Sequence, residues 1–192
     1  MQCRLVFVPK RFWLSVEEEK ARYDLHENSS LDPGYRRFLS RLSKPLLEKL
    51  SPLQKGLDFG CGPGPTLSLL LEEQSHHVDL YDLYYHNDSA VFEKKYVFIC
   101  ATEVMEHLGD PNREFESLFT MLQQGGWLGI MTKLVIDEEA FSQWHYIRDL
   151  THICFYSRST FEYLAERFNA ELHFVSNDVI LLYKKDFGST QL

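Results

Sequence analysis

Two stretches of this sequence carry residues able to do chemistry. In Thr102-Glu103-Val104-Met105-Glu106-His107, two carboxylates and an imidazole stand at i, i+3 and i+4. On a helix that spacing puts all three on one face, where they can move protons, touch a substrate or share a metal ion. The other stretch is Gly56-Leu57-Asp58-Phe59-Gly60-Cys61-Gly62-Pro63-Gly64-Pro65-Thr66. It reads as a buried strand, a tight glycine turn and a helix opening. Glycines permit positive φ and close approach of a ligand to the backbone, and Pro65 suits a first helical position. Main-chain N–H groups at such a helix start face whatever lies over the turn. The turn therefore points to a nucleotide-like cofactor on the first strand–helix connection of a doubly wound sheet.

These residues need elements to carry them. His77 to Asp82 forms a second strand ending in a carboxylate, close to the roughly 20 residues beyond the glycine turn at which an acid meets ribose hydroxyls. Tyr96 to Ala101 forms the strand that delivers Glu103, Glu106 and His107 to the carboxyl edge of the sheet. Residues 83–95 alone lie between these strands, whereas a helix, a strand and a further helix need roughly 27 residues. A third strand is therefore expected to be short or missing, leaving 77–82 at or near an edge. Asp110-Pro111 opens a helix with Phe115, Leu118, Phe119 and Leu122 as its apolar stripe. Gly125-Gly126 should end it before a strand over 127–132. Ser159 and Glu162 suggest a capping box, and Ala170–Ser176 with Val179–Lys184 a closing antiparallel hairpin.

Before the glycine turn, Ser15 and Glu18 make a capping box for a helix to about Leu25. His26 to Gly34 reads as a loop, and Tyr35 to Leu50 as a helix interrupted at Pro45. Arg22, Tyr23, His26, Asn28, Tyr35 and Arg36 crowd polar and aromatic groups into this segment. Either they are surface residues or some of them, Tyr23, Tyr35 and Arg36 first, shape a pocket. Residues 134–156 hold Phe141, Trp144, His145, Tyr146, His152, Phe155 and Tyr156. They suit a substrate lid or plain packing equally.

Composition narrows the class. The 192 residues, 44% hydrophobic, suffice for one α/β domain, with 1–50 as a helical cap and 51–192 as the core. A net charge of −8 argues against a broad nucleic-acid surface. Four cysteines without paired spacing fit a reducing, cytoplasmic setting, and no apolar run reaches membrane-span length.

The order Asp-x-Gly-x-Gly-x-Gly, ribose acid, post-strand acid cluster and terminal hairpin resembles the class I S-adenosylmethionine-dependent methyltransferases over about residues 15–185. A dinucleotide fingerprint wants Gly or Ala where Pro65 stands, which disfavours a nicotinamide-dependent oxidoreductase. The resemblance implies a Rossmann-like, mostly parallel sheet with an antiparallel C-terminal hairpin. It implies S-adenosylmethionine held by Asp58, Gly60, Cys61, Gly62, Gly64, Asp82, Leu83 and Thr102, under a cap carrying Tyr23, Tyr35 and Arg36. In some related proteins a zinc ribbon precedes the domain. One cysteine, Cys3, cannot hold zinc, so no ribbon is expected.

The acid–histidine cluster is similar to that of the quinone-pathway O-methyltransferases. With His152 added, it is similar to the metal site of the small-RNA 3′-terminal 2′-O-methyltransferases. That likeness implies one divalent ion (zinc, manganese, iron or magnesium) on Glu103, Glu106, His107 and His152. These four would then be the catalytic residues, acting on an oxygen of a small-molecule acceptor. His145 can stand in for His152 in this scheme. A metal-free N- or C-methyltransferase with the acid–histidine pair in packing or substrate contact, and a non-catalytic cofactor-binding module, are the alternatives.

Overall fold

The computed structural model describes residues 3–25 and 28–186. Its centre is a six-stranded sheet in the order β3-β2-β4-β5-β8-β7. The strands are β2 (Lys55–Phe59), β3 (His77–Tyr81), β4 (Tyr96–Thr102), β5 (Leu122–Met131), β7 (Ala170–Phe174) and β8 (Val179–Lys184). β2, β3, β4 and β5 run parallel, and β8 returns antiparallel between β5 and β7. A separate two-residue pair joins β1 (Val6–Phe7) to β6 (Cys154–Phe155). The helices are α1 (Val16–Tyr23), α2 (Pro33–Leu47), α3 (Thr66–Glu72), α4 (Pro111–Met121), α5 (Glu138–Ser142) and α6 (Arg158–Arg167).

Alternation along the strands divides the core between two faces. Ile99 and Ala101 of β4, with Ile180 and Leu182 of β8, pack towards Phe115, Leu118 and Phe119 of α4 and Phe161 and Leu164 of α6. Their neighbours Phe98, Cys100, Val179 and Leu181 pack towards Leu39, Leu42 and Leu46 of α2 and Leu67 and Leu71 of α3. Helices on both faces make the sheet doubly wound, as the sequence led us to expect. The chain order reverses between β2 and β4, which opens a crevice at their carboxyl ends.

β3 is an edge strand, and among the described residues no strand intervenes between it and β4. An Asp82–His86 bridge and a short 3₁₀ turn (Ser89–Glu93) take the place of the usual crossover. Asp79 on this edge is held by Lys94 at 2.9 Å, Tyr96 Oη at 2.9 Å and Lys55 at 3.2 Å. The Phe92 ring stands edge-on to Tyr81 at 4.8 Å. These contacts partly cover the edge.

Several boundaries differ from the sequence reading. α2 starts at Pro33 because Asp32 caps it by accepting the Gly34 N–H at 2.7 Å, and it runs through Pro45 in its last turn. Pro65 is the N-cap of α3 rather than its first residue. The cap of α6 is Ser157, whose partner is Thr160: each hydroxyl accepts the other's main-chain N–H, at 3.0 and 3.2 Å. Ser159 and Glu162 thus lie inside that helix. α4 ends at Met121, and β5 absorbs Gly125 and Gly126, with Gly125 at φ 73° beside a register shift against β4. The Ser15–Glu18 capping box is present on both sides, whereas α1 closes at Tyr23. The predicted loop begins at His26, and His26 and Glu27 lie outside the described residues.

Candidate functional site

A cavity of about 560 Å³ opens where β2 and β4 end. Its floor is the turn after β2. Gly60 (φ 78°) and Gly62 (φ 65°) hold left-handed conformations there, and a side chain at Gly60 would strike Val104. The Gly60 and Cys61 N–H groups bond the Tyr81 carbonyl at 2.7 and 3.1 Å, tying the turn to the end of β3. Asp82 then accepts three main-chain N–H groups: Gly62 at 3.0 Å, Tyr84 at 2.9 Å and Tyr85 at 3.2 Å. Gly64 is not part of the lining. Its missing side chain makes room for the Asn28 carbonyl of the N-terminal segment.

The cap closes the cavity from above. Tyr23 of α1, Asn28, and Tyr35, Phe38 and Leu39 of α2 all line it. Glu19 accepts from Tyr23 Oη at 2.9 Å and Tyr84 Oη at 2.7 Å, while Asp24 accepts from Tyr85 Oη at 2.7 Å. These bonds join α1 to the segment after β3. Arg36 lies outside the lining and pairs instead with Glu73 at 2.6 Å.

The acid–histidine stretch does not form the single helix face that its spacing suggests. Glu103 has φ 52°, and only Met105–His107 make a 3₁₀ turn. The Glu103 N–H donates to the Met131 carbonyl at 2.7 Å, which holds this strained residue at the lip of the cavity. Glu106, His107 and His152 nonetheless bring one donor atom each within 4.8 Å of one another. Glu103 stands beside this group rather than in it, and His145 contacts Lys133 at 2.9 Å on the surface. Each clustered imidazole is fixed through Nδ1 by a main-chain carbonyl, His107 by Thr151 at 3.0 Å and His152 by Tyr146 at 2.8 Å. A carbonyl can only accept, so Nδ1 carries the proton and Nε2 is the basic atom of each ring.

Tyr146 organises this end. Its hydroxyl donates to Glu106 Oε1, lies 3.5 Å from Glu103 Oε2 and 3.4 Å from Thr132 Oγ1, and its ring sits 4.0 Å from that of His152. Glu106 is fully buried, and its Oε2 has no hydrogen-bond partner among the described residues. An orphaned carboxylate oxygen beside two imidazoles suits a divalent ion, in a three-donor set rather than the four-donor set expected from the sequence.

Comparison with known proteins decides the family. A model described as a methyltransferase domain matches residues 29–174. The chain belongs to that family. It is an S-adenosylmethionine-dependent methyltransferase. Among solved structures, it is similar to an S-adenosylmethionine-dependent methyltransferase from Archaeoglobus fulgidus, at 15% identity and TM-score 0.57 over 78% of this chain and 94% of that one. It is also similar to 1,6-didemethyltoxoflavin-N1-methyltransferase from Burkholderia thailandensis, at 13% identity and TM-score 0.57 over 95% of each chain. Phosphoethanolamine N-methyltransferase 2 from Haemonchus contortus matches at 16% identity and TM-score 0.54, over 79% of this chain and 41% of that one. No protein of curated function matches the sequence. No helix among the described residues is long and apolar enough to cross a membrane.

The electrostatics of the methyltransferase cavity follow from burial. Burial pushes the Asp58 carboxyl up to about 7, helped by Asp82 and opposed by the Ser68 N–H. Its Oδ1 is buried without a partner among the described residues. Burial, then the neighbouring Glu106 charge, raises Glu103, and burial raises Glu106. Burial and then the nearby His107 lower His152. Burial raises Cys61 and lifts Tyr35 to about 12. Asp58, Gly60, Cys61, Gly62, Asp82, Leu83, Thr102, Glu103, Tyr23, Tyr35, His107 and His152 all line the cavity, and Glu106 lies behind its wall. Glu19, Asp149 and Tyr146 carried no signal that set them apart in the sequence. Each reaches the site from an element whose position depends on the whole fold.

Proposed function

We propose that the enzyme methylates a hydroxyl of a small acceptor, with the cofactor seated over the β2 turn and the acceptor against Glu103, His107 and His152. One observation carries this reading: His107 and His152 line the same cavity as the glycine turn, with Glu106 directly behind them. Asp82 would accept the ribose hydroxyls while keeping its bonds to the turn. Gly60, Cys61, Gly62 and Thr102 would shape the floor beneath the methionine end, with Asp58 facing its ammonium group. Tyr23 and Tyr35 would exclude water and hold the reacting atoms in line.

Glu106, His107 and His152 would hold one divalent ion. Bound there, the ion supplies Lewis-acid chemistry, lowering the pKa of an acceptor hydroxyl. Ionised above its raised pKa of about 8, Glu103 is placed to take the hydroxyl proton as the oxygen attacks the methyl and the sulfonium becomes a thioether. Tyr146 keeps Glu106 and His152 in register.

The test is transfer of labelled methyl from S-adenosylmethionine to a panel of catechols and other adjacent-oxygen acceptors, with chelator and with ions restored. Transfer that stops with chelator and returns with the ion supports the reading. Transfer to oxygen that ignores the chelator overturns the metal. A second reading, metal-free N-methylation, gains support from N-methyltransferases among the structural neighbours. Product analysis separates N-methyl from O-methyl.

A further inference from the structure

We propose that the acceptor carries an ammonium group, seated at Glu19 against the Tyr23 and Tyr84 rings, with Asp149 adding its charge from the far end of the same wall. The inference deepens the reading above and rests on its placing the acceptor in this cavity. Among the described residues, the cavity lining holds five carboxylates, Glu19, Asp58, Asp82, Glu103 and Asp149, and neither a lysine nor an arginine. S-adenosylmethionine brings two positive centres, a sulfonium and an ammonium. Asp58 and Asp82 stand at its end of the cavity, where Asp58 Oδ1 is buried and lacks a partner among the described residues, and Glu103 meets the reacting hydroxyl. Glu19 and Asp149 are left at the other end, and among the described residues neither pairs with a lysine or arginine.

The walls of that end suit a cation as well. Tyr84, Tyr23, His107 and His152 make a continuous row of rings, with successive centroids 5.7, 5.4 and 4.8 Å apart. Glu19 pins the first two by accepting both phenol hydroxyls. Phenol rings attract a cation through their electron-rich faces, and carboxylates beside them add to that attraction. Asp149 stands at the far end of the row, its Oδ2 3.9 Å from His152 Nε2. A cation held at the Glu19 end of the row thus leaves the rest of the acceptor beside His107 and His152. A carboxylate or phosphate in the same place would meet the like charge of Glu19 and of Asp149.

The experiment uses protein loaded with S-adenosylhomocysteine and three matched catechols, bearing an aminoethyl, an ethyl and a carboxymethyl side chain. Calorimetric titration at low salt should give the amine at least tenfold tighter binding than the acid, with the ethyl compound between them. Glu19→Gln and Asp149→Asn should shrink the amine-to-acid ratio, with unchanged S-adenosylhomocysteine affinity certifying the fold. Equal or tighter binding of the acid, no binding of the amine, or a ratio untouched by both substitutions overturns the inference. If the amine binds preferentially but its hydroxyls gain no methyl, oxygen transfer fails while the charge preference stands. If methyl reaches the acid and amine probes equally well, oxygen transfer stands and the charge preference falls.

Discussion

The two ends of the cavity are built in opposite ways. At the β2 end, main chain does most of the work: two left-handed glycines, two N–H bonds to the Tyr81 carbonyl, and one carboxylate gathering three N–H groups. At the β4 end, side chains from α1, the 103–107 segment and the 144–152 loop converge, joined through hydroxyls and imidazoles. A seat made of backbone is fixed by the fold and tolerates change in neighbouring side chains. A wall made of side chains can be altered one residue at a time, so the acceptor end is where specificity can shift without loss of the cofactor.

The division is sharpest if the acceptor end can be disabled alone. Glu106→Gln and His152→Ala should each cut methyl transfer by about 10²–10⁴-fold, while S-adenosylmethionine affinity stays within about twofold. Steady-state assays beside calorimetry check this. A tenfold loss of cofactor affinity would merge the two ends. The converse change is Asp82→Ala, which should weaken S-adenosylmethionine binding by roughly 1.5–3 kcal/mol, the scale of hydrogen bonds to a charged group. Unchanged binding would remove Asp82 from the seat. Tyr146→Phe keeps the ring and deletes the hydroxyl on Glu106, so metal affinity should fall about 10- to 100-fold, as for other groups that orient a ligand. Metal retention after dialysis reads this directly.

Most of the fold could be read from the sequence, because periodicity and turn chemistry fix it locally. The short connection after Asp82 foretold the edge position of β3, since chain length alone forbids another strand and two helices. The glycine turn was readable for the same reason. The acceptor end was readable only in part. Helical spacing put Glu103, Glu106 and His107 on one face, but the left-handed turn at Glu103 broke that helix, and no propensity announces such a turn at a glutamate. Tyr146 looked like one aromatic among seven, because its role depends on where the loop after β5 lands. The Ser157–Thr160 box was missed because threonine took the part usually played by glutamate.

Two smaller effects probe the cofactor end and the cap. Burial lifts the folded pKa of Asp58 from 3.8 to about 7. Unfolded chains lose this proton near pH 4, while the folded protein keeps it until about pH 7. Stability therefore falls across that window and stays at its lower value above it. Asp58→Asn cannot ionise, so it should raise the cofactor-free melting temperature by about 2–6 °C at pH 8 and leave it nearly unchanged near pH 4. An equal gain at both pH values would mean that ionisation plays no part. Ser15→Ala removes one side of the α1 capping box and should cost roughly 1 kcal/mol of local stability. Faster amide exchange confined to α1 is the expected signature.

The central claim places the reactive methyl beside the Glu106–His107–His152 cluster. Manganese-loaded protein with S-adenosylmethionine carrying a ¹³C-labelled methyl tests it by paramagnetic relaxation. The account predicts strong relaxation enhancement of that methyl, lost in the Glu106→Gln variant. A methyl whose relaxation is the same with and without manganese would contradict it.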